Sequence, residues 1–381
     1  MSLRITMSLR RLMRLAAALA LVAGAAMPTI AGAQGRLAAN GGVPSYQHIF
    51  VVMMENTNYD QIIGNANAPR INALAQTYGL ATRSYGVTHP SEPNYVATIG
   101  GDYFGIQDDA PFSSTTNGVN HTITGPSLAS QLDTAGLSWK TYQQSLPYPG
   151  YDGTQYPTTG AALYASKHNP FMNFASIQQS QTELQKIVPA TALTPDLQSV
   201  ATSPNFSFIA PDQCHDMHGT SACTDATTLV KDGDAYVGHL VDQIEGSPVW
   251  STGNTAIVIT WDEDDFSPTN LGCCDANPGG GHVATIVITN HGPRGIQDNT
   301  PYNHYSLLRT IEDAFGLGCL QHSCDTANVT PMTTLFALSP NGGPGPAATP
   351  ELGSGELLAT GLIPLVGLLL YRRRRVAQAT R

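Results

Sequence analysis

Three short apolar runs, each closed by groups that can grip a ligand, restrict this chain to one kind of architecture. His48-Ile49-Phe50-Val51-Val52-Met53-Met54 stops at Glu55-Asn56, and Asn205 to Ala210 leads into Asp212, His215 and His218. Asn254 to Trp261 stops at Asp262-Glu263-Asp264-Asp265, and a fourth run, Val283 to Thr289, is fed by Gly279-Gly280-Gly281-His282. Runs that are apolar at every position, rather than at every second one, are strands covered on both faces, the habit of parallel sheets. Helical patterns separate them: Ala68 to Tyr78, Asn94 to Ile99, Leu128 to Leu132 behind Gly125-Pro126-Ser127, Leu193 to Val200, Asp234 to Ile244, and Tyr302 to Phe315. The predicted class is therefore α/β, a central, largely parallel sheet flanked by helices. Residues just past the carboxyl ends of such strands share one surface, and ligands bind there.

The ends of the chain stand apart. Residues 1–33 carry Arg4, Arg10, Arg11 and Arg14, an apolar stretch from Leu15 to Ala26 and then Ala31-Gly32-Ala33. That is the layout of a secretory signal peptide cut after Ala33. Residues 34–46 read as a linker and 47–335 as the folded unit. Pro/Gly-rich residues 336–356 lead to an apolar segment, 357–371, and a basic tail, 372–381, headed by four arginines. The apolar segment is short for a bilayer span, which takes about 20 residues, but its arginine flank is of the stop-transfer kind that stays cytoplasmic. It reads as a membrane anchor or a sorting signal, with the folded unit exported to the cell surface.

Charge follows the same division. Between Gln34 and Pro350, nine basic residues face 26 acidic ones, which excludes binding of nucleic acid by bulk electrostatics. Six cysteines, all in that part, read as disulfides. Cys214 with Cys223 and Cys319 with Cys324 are the local pairs, whereas a bridge between the adjacent Cys273 and Cys274 is strained.

His89-Pro90-Ser91-Glu92-Pro93-Asn94-Tyr95 joins a β-like run, Leu80 to Val87, to the helix from Asn94. A hydroxyl at that junction is presented together with the first free N–H groups of the helix, which favour an anion. Alone, such a serine is an ordinary cap. Here it shares one surface with the groups delivered by several strand ends, Glu55-Asn56, Asp212 with His215 and His218, Asp262-Glu263 and His282, and by another helix start, His304. Residues 102–124 read as a loop over the site. Residues 145–175, with Tyr148, Tyr151, Tyr156 and Tyr164 among prolines and glycines, read as an irregular excursion, either lining a substrate pocket or lying on the surface.

Glu55-Asn56 after an apolar strand, Ser91 within H-P-S-E-P-N, Asp262-Glu263 within T-W-D-E-D, and His304 within N-H-Y-S-L-L-R-T-I-E resemble a known family. It is the bacterial and fungal phosphoesterases, acid phosphatases and phospholipases C among them, of the alkaline phosphatase superfamily. The resemblance runs from about His48 to Gly318 and implies an alkaline-phosphatase-like sandwich and a metal-dependent phosphomonoesterase working through a phosphoserine. Ser91 matches the nucleophile; Glu55, Asn56, Asp262 and Glu263 match the metal ligands, and Ser91 also touches that metal. Such an oxygen-rich set suits a hard divalent cation, Mg²⁺, Ca²⁺ or Mn²⁺, with Zn²⁺ also admissible. Asn94 is placed to bind a phosphoryl oxygen. His215, His218 and His304 match the histidines that hold phosphate and protonate the leaving group, and His282 joins the substrate-binding candidates. A second metal site of Asp212, His215 and His304 is a further expectation. No arginine follows Ser91-Glu92-Pro93 in the manner of sulfatases. The rival readings are a phospholipase C-like diesterase with the same nucleophile and a non-catalytic cell-surface binding protein.

Overall fold

A computed structural model of the protein describes residues 42–266 and 270–339. The expected signal peptide, apolar segment and basic tail lie outside the described residues, as do most of both linkers. Among the described residues nine strands form the central sheet: β1 (His48–Met54), β2 (Gly79–Tyr85), β3 (Trp139–Gln143), β4 (Ile187–Pro189), β5 (Phe206–Ala210), β6 (Thr255–Trp261), β7 (His282–Thr289), β8 (Ile296–Asp298) and β9 (Tyr302–Asn303). Their order is β8-β2-β7-β6-β1-β5-β3-β4, with β9 beside β2. Strand β7 runs against β6 and β2, and every other pairing in this sheet is parallel. The antiparallel return brings His282, the first residue of β7, to the edge where β6 ends.

Five helices matter for the site: α1 (Pro69–Thr77), α2 (Ser91–Gly100), α3 (Leu128–Thr134), α4 (Ala226–Glu245) and α5 (His304–Phe315). Along β1, Ile49, Val51 and Met53 join one apolar cluster with Tyr95, Val96 and Ile99 of α2 and Leu307, Leu308 and Ile311 of α5. Phe50, Val52 and Met54 join another, with Ile71 of α1 and Val237, Leu240, Val241 and Ile244 of α4. The strand has no polar face because both faces are covered. Each large side chain so buried contributes about 1.5–3 kcal/mol.

Helix α4 begins eight residues before the apolar stripe that announces it. Asp225 starts it by accepting the Thr228 N–H at 2.8 Å, and Leu229 and Val230 are buried in its first turns. Asp234 is buried in its middle and accepts the N–H groups of Ile71 (2.7 Å) and Arg70 (3.2 Å), satisfying free donors at the start of α1. The helix expected from Leu193 to Val200 shrinks to the single turn Leu193–Asp196, where Lys140 and Tyr142 hold the Asp196 carboxylate.

The glycines ahead of β7 are a packing requirement. A Cβ on Gly280 would stand 2.3 Å from the Thr88 carbonyl oxygen, and one on Gly86 would stand 2.7 Å from that of Asp262. The β6–β7 connection thus runs backbone against backbone with the turn that leads to Ser91. Cys214–Cys223 and Cys319–Cys324 are bridged as expected, and the adjacent Cys273 and Cys274 are bridged to each other, so no thiol is left among the described residues to ligate a metal.

Glu312 of α5 is buried and accepts the Ser323 hydroxyl at 2.7 Å, and burial pushes its carboxyl up to about 8. The unfolded carboxyl ionises near about 4.3. Stability from this group is therefore complete below the unfolded pKa and is lost as pH rises through the folded one. The thermal midpoint of Glu312→Gln should fall less than that of the parent between about pH 5 and 8. Equal slopes in a calorimetric pH series would show that the buried carboxyl does not hold its proton.

Candidate active site

Register sets the first pair of site residues. Met54 of β1 lies opposite Trp261 of β6, so the next residues, Glu55 and Asp262, leave the sheet side by side. Ser91 is the first residue of α2, and its Oγ lies 3.0 Å from Glu55 Oε2, 3.2 Å from Glu263 Oε1 and 3.4 Å from Asn56 Oδ1. One hydroxyl proton cannot satisfy three acceptors. Asp262 Oδ1 accepts the Asn56 N–H at 3.1 Å, while its Oδ2 is buried with no hydrogen-bond partner among the described residues. His89 Nδ1 bonds Glu263 Oε2, and Asn56 Nδ2 donates to Glu263 Oε1 at 3.2 Å.

The electrostatics of this group are dominated by burial. Burial raises the pKa of Glu55, takes Asp262 and Asp216 well above the usual carboxylate range and pushes Glu263 up to about 7. Neighbouring charge adds to it, since Glu55 raises Asp216, Asp262 and Glu263 in turn. A cation among them would reverse both effects.

A second set of donors adjoins the first. His168 Nε2 is 3.1 Å from Glu55 Oε1, and its Nδ1 is 3.2 Å from Asp216 Oδ2. Burial holds this imidazole far below its usual range, so it is neutral and has one N–H. With that proton on Nδ1, on the Asp216 side, the Nε2 lone pair faces Glu55; Glu55 Oε1, His168 Nε2 and Asp216 Oδ2 are each buried without a hydrogen-bond partner among the described residues. His218 is fixed in the same sense: Nδ1 donates to the Gly219 carbonyl at 2.7 Å, and Nε2 accepts from Lys167 Nζ at 3.2 Å. Ligand atoms of Glu55, His168 and His218 lie within 4.8 Å of one another. Burial draws the Lys167 pKa down, but Glu55 and Asp109 outweigh it, and the ammonium stays charged, 2.9 Å from Asp109 Oδ2. The orphaned Asp262 oxygen, the crowded acceptors and the unpartnered His168 Nε2 together fit a bound divalent cation.

Other expected residues are placed elsewhere. All the hydrogen-bonding capacity of the Asn94 amide is spent on its own turn: Oδ1 accepts Val87 and Thr88 N–H, and Nδ2 donates to the Thr88 and Pro90 carbonyls. It has no donor left for a phosphoryl oxygen. The Glu92 N–H, one of the free donors expected at the helix start, goes to Asp109 at 3.0 Å. His304 is buried beneath Asp262, donating Nε2–H to its backbone carbonyl at 2.6 Å, and burial draws it down to about 4. His215 pairs with Asp212 at 2.7 Å and packs on Tyr236. His282 stacks on Tyr59 and bonds the Thr82 carbonyl. Asp212, His215 and His304 do not form a ligand cluster among the described residues.

With that geometry in hand, comparison with known proteins is direct. The pattern of the Phosphoesterase family matches residues 65–318. The chain belongs to the phosphoesterase family. A phosphatidylinositol-3-phosphatase of Mycobacterium tuberculosis is 30% identical over 331 residues, covering 86% of this chain and 96% of that one. A probable acid phosphatase of Kluyveromyces lactis is 30% identical over 291 residues, covering 75% of this chain and 62% of that one, so the chain spans less than two thirds of that relative. A solved alkaline phosphatase superfamily protein of Vibrio parahaemolyticus aligns with a TM-score of 0.45 at 13% identity, over 73% of this chain and 69% of that one. This phosphoesterase is a hydrolase acting on phosphoric ester bonds.

Lys167, His168, Asp216 and His89 carry weight in the phosphoesterase site without having been singled out from sequence. Lys167 and His168 fall inside the irregular 145–175 excursion, in a short 3₁₀ turn with no periodicity to mark it. The signal available was a polar pair, Lys167-His168, set between aromatic and proline residues. Asn94→Ala tests the reassignment of that amide. Denaturant unfolding should show a loss of about 2–4 kcal/mol, from buried groups left unpaired, with KM for a phosphomonoester little changed. A large rise in KM at full stability would return Asn94 to phosphate binding.

Proposed function

We propose that the protein is an exported, metal-dependent phosphomonoesterase of the acid-phosphatase kind that works through a phosphoserine at Ser91. The observation that carries this reading is the trio of acceptors from Glu55, Asn56 and Glu263 around one serine hydroxyl at a helix start. A divalent cation held by Glu55, Asn56, Asp262, Glu263 and Ser91 would offset phosphate charge and lower the Ser91 pKa. Ser91 Oγ attacks phosphorus and gives its proton to the Glu55 carboxylate, 3.0 Å away. The bond from phosphorus to the alcohol oxygen breaks, and that oxygen takes a proton from the Lys167–His218 pair, joined at 3.2 Å. Water then attacks the phosphoserine and passes a proton to the Lys167–His218 pair, the P–Oγ bond breaks, and inorganic phosphate leaves as Ser91 takes back the proton held by Glu55.

The names of the matched relatives, phosphatases both, support a monoester over a diester. The intact set of Glu55, Asn56, Ser91, Asp262 and Glu263 argues against a binding protein on a degenerate scaffold. Export rests on the signal-peptide layout of residues 1–33, with the three disulfides in support. Attachment to the membrane or envelope rests on residues 357–371 and their arginine flank; no helix among the described residues is long and apolar enough to cross a membrane.

Ser91→Ala should keep its unfolding profile and lose about 10³-fold or more in turnover of a chromogenic phosphomonoester, and acid-quenched parent enzyme should carry phosphate on the Ser91 peptide. Near-normal turnover in the variant would remove Ser91 from the chemistry.

A further inference from the structure

Beside the nucleophile the surface opens into a groove of about 430 Å³, within the size range of small-molecule sites. Asn56 and His218 form its inner end, which ties it to the reacting centre: Asn56 Oδ1 is 3.4 Å from Ser91 Oγ. Its floor is apolar, made of the buried Met217 and Leu229. Its walls are neutral and polar, with Gln61, Asn67 and Thr227 prominent. Asn67 and Thr227 make no side-chain hydrogen bond among the described residues, so their groups are free for a ligand. Among the described residues no lysine or arginine lines it, and the lining carboxylate, Asp265, is engaged by Gln61 Nε2 at 2.8 Å.

We infer that this groove is the leaving-group subsite and that it takes the ring of an uncharged, polyhydroxylated alcohol. The preferred ester is then a hexose monophosphate, rather than an aryl phosphate or an ester with a second anionic group. The inference rests on the monoesterase reading above and adds the identity of the alcohol. A sugar ring has an apolar face of C–H groups and a rim of hydroxyls. The floor meets the first by dispersion, and the amides and hydroxyls of the walls exchange hydrogen bonds with the second. A flat aryl group would leave those wall groups unpaired once water is displaced. A second phosphate would meet Asp265 with no cation in the lining to balance it.

The test is steady-state kinetics of the full chain on glucose 6-phosphate, fructose 1,6-bisphosphate and phenyl phosphate, for the parent and for Asn67→Leu with Thr227→Val. Both substitutions lie outside the catalytic groups, and Thr227 is exposed. The parent should prefer the monophosphate to the bisphosphate by about 10-fold. The double variant should raise KM for glucose 6-phosphate by about 10-fold, the loss of two hydrogen bonds, and leave phenyl phosphate within about twofold. A KM for glucose 6-phosphate that does not move, or one that moves equally for phenyl phosphate, overturns the subsite. So does a parent that hydrolyses phenyl phosphate but neither sugar ester, which leaves the monoesterase reading standing. Turnover of none of the three overturns the monoesterase reading and the subsite with it.

Discussion

Like-charged carboxylates crowded out of water repel one another, and that repulsion shapes everything around Ser91. Glu55, Asp216, Asp262 and Glu263 are all fully or almost fully buried, save that Lys167 and His89 stand close enough to offset part of their charge. The arrangement costs several kcal/mol per unpaired ion, so it persists only because the sheet enforces it. Parallel pairing of β1 with β6 fixes Glu55 beside Asp262, and neither can retreat without breaking the register of two central strands. The structure therefore holds a set of carboxyl oxygens in place, where a cation would draw them into their charged form. Pre-organisation of this kind is what electrostatic catalysis requires, because no reorganisation is left to do at the moment of reaction.

A network behind the reacting groups keeps them in register. The Glu92 carboxylate is buried next to the nucleophile and receives His121 Nδ1 at 3.0 Å and Asn173 Nδ2 at 2.6 Å. Asp109 accepts both the Glu92 N–H and the Lys167 ammonium. The 102–124 loop, the start of α2 and the 145–175 excursion are thereby joined through side chains and not only through packing. These shared partners tie the approach to Ser91 to three segments of the chain, while Glu92 Oε2, His121 Nε2 and Asn173 Oδ1 are buried without a hydrogen-bond partner among the described residues.

Much of this was readable from the chain itself, for a definite reason. Strands β1, β5, β6 and β7 are apolar at nearly every position because helices cover both faces, and that pattern survives in one dimension. The acids that follow β1 and β6 inherit their place from the strands. What sequence could not convey is which atoms a polar residue spends on its own fold. Asn94 is consumed by the turn before Ser91, His304 by the Asp262 carbonyl, and His215 by Asp212. Conversely, Lys167 and His168 reach the site from a stretch whose shape is set by distant packing rather than by any local period. The direction of β7 was equally hidden, since an apolar run reads the same whichever way it is laid.

The central claim is that these buried oxygens are a cation site built around the serine, and anomalous scattering from crystals equilibrated with Mn²⁺ addresses it most directly. The account predicts a single strong peak within about 2.5 Å of oxygens from Ser91, Glu55, Asn56, Asp262 and Glu263. Saturating Mn²⁺ bound only elsewhere, with no density between those five side chains, would contradict it.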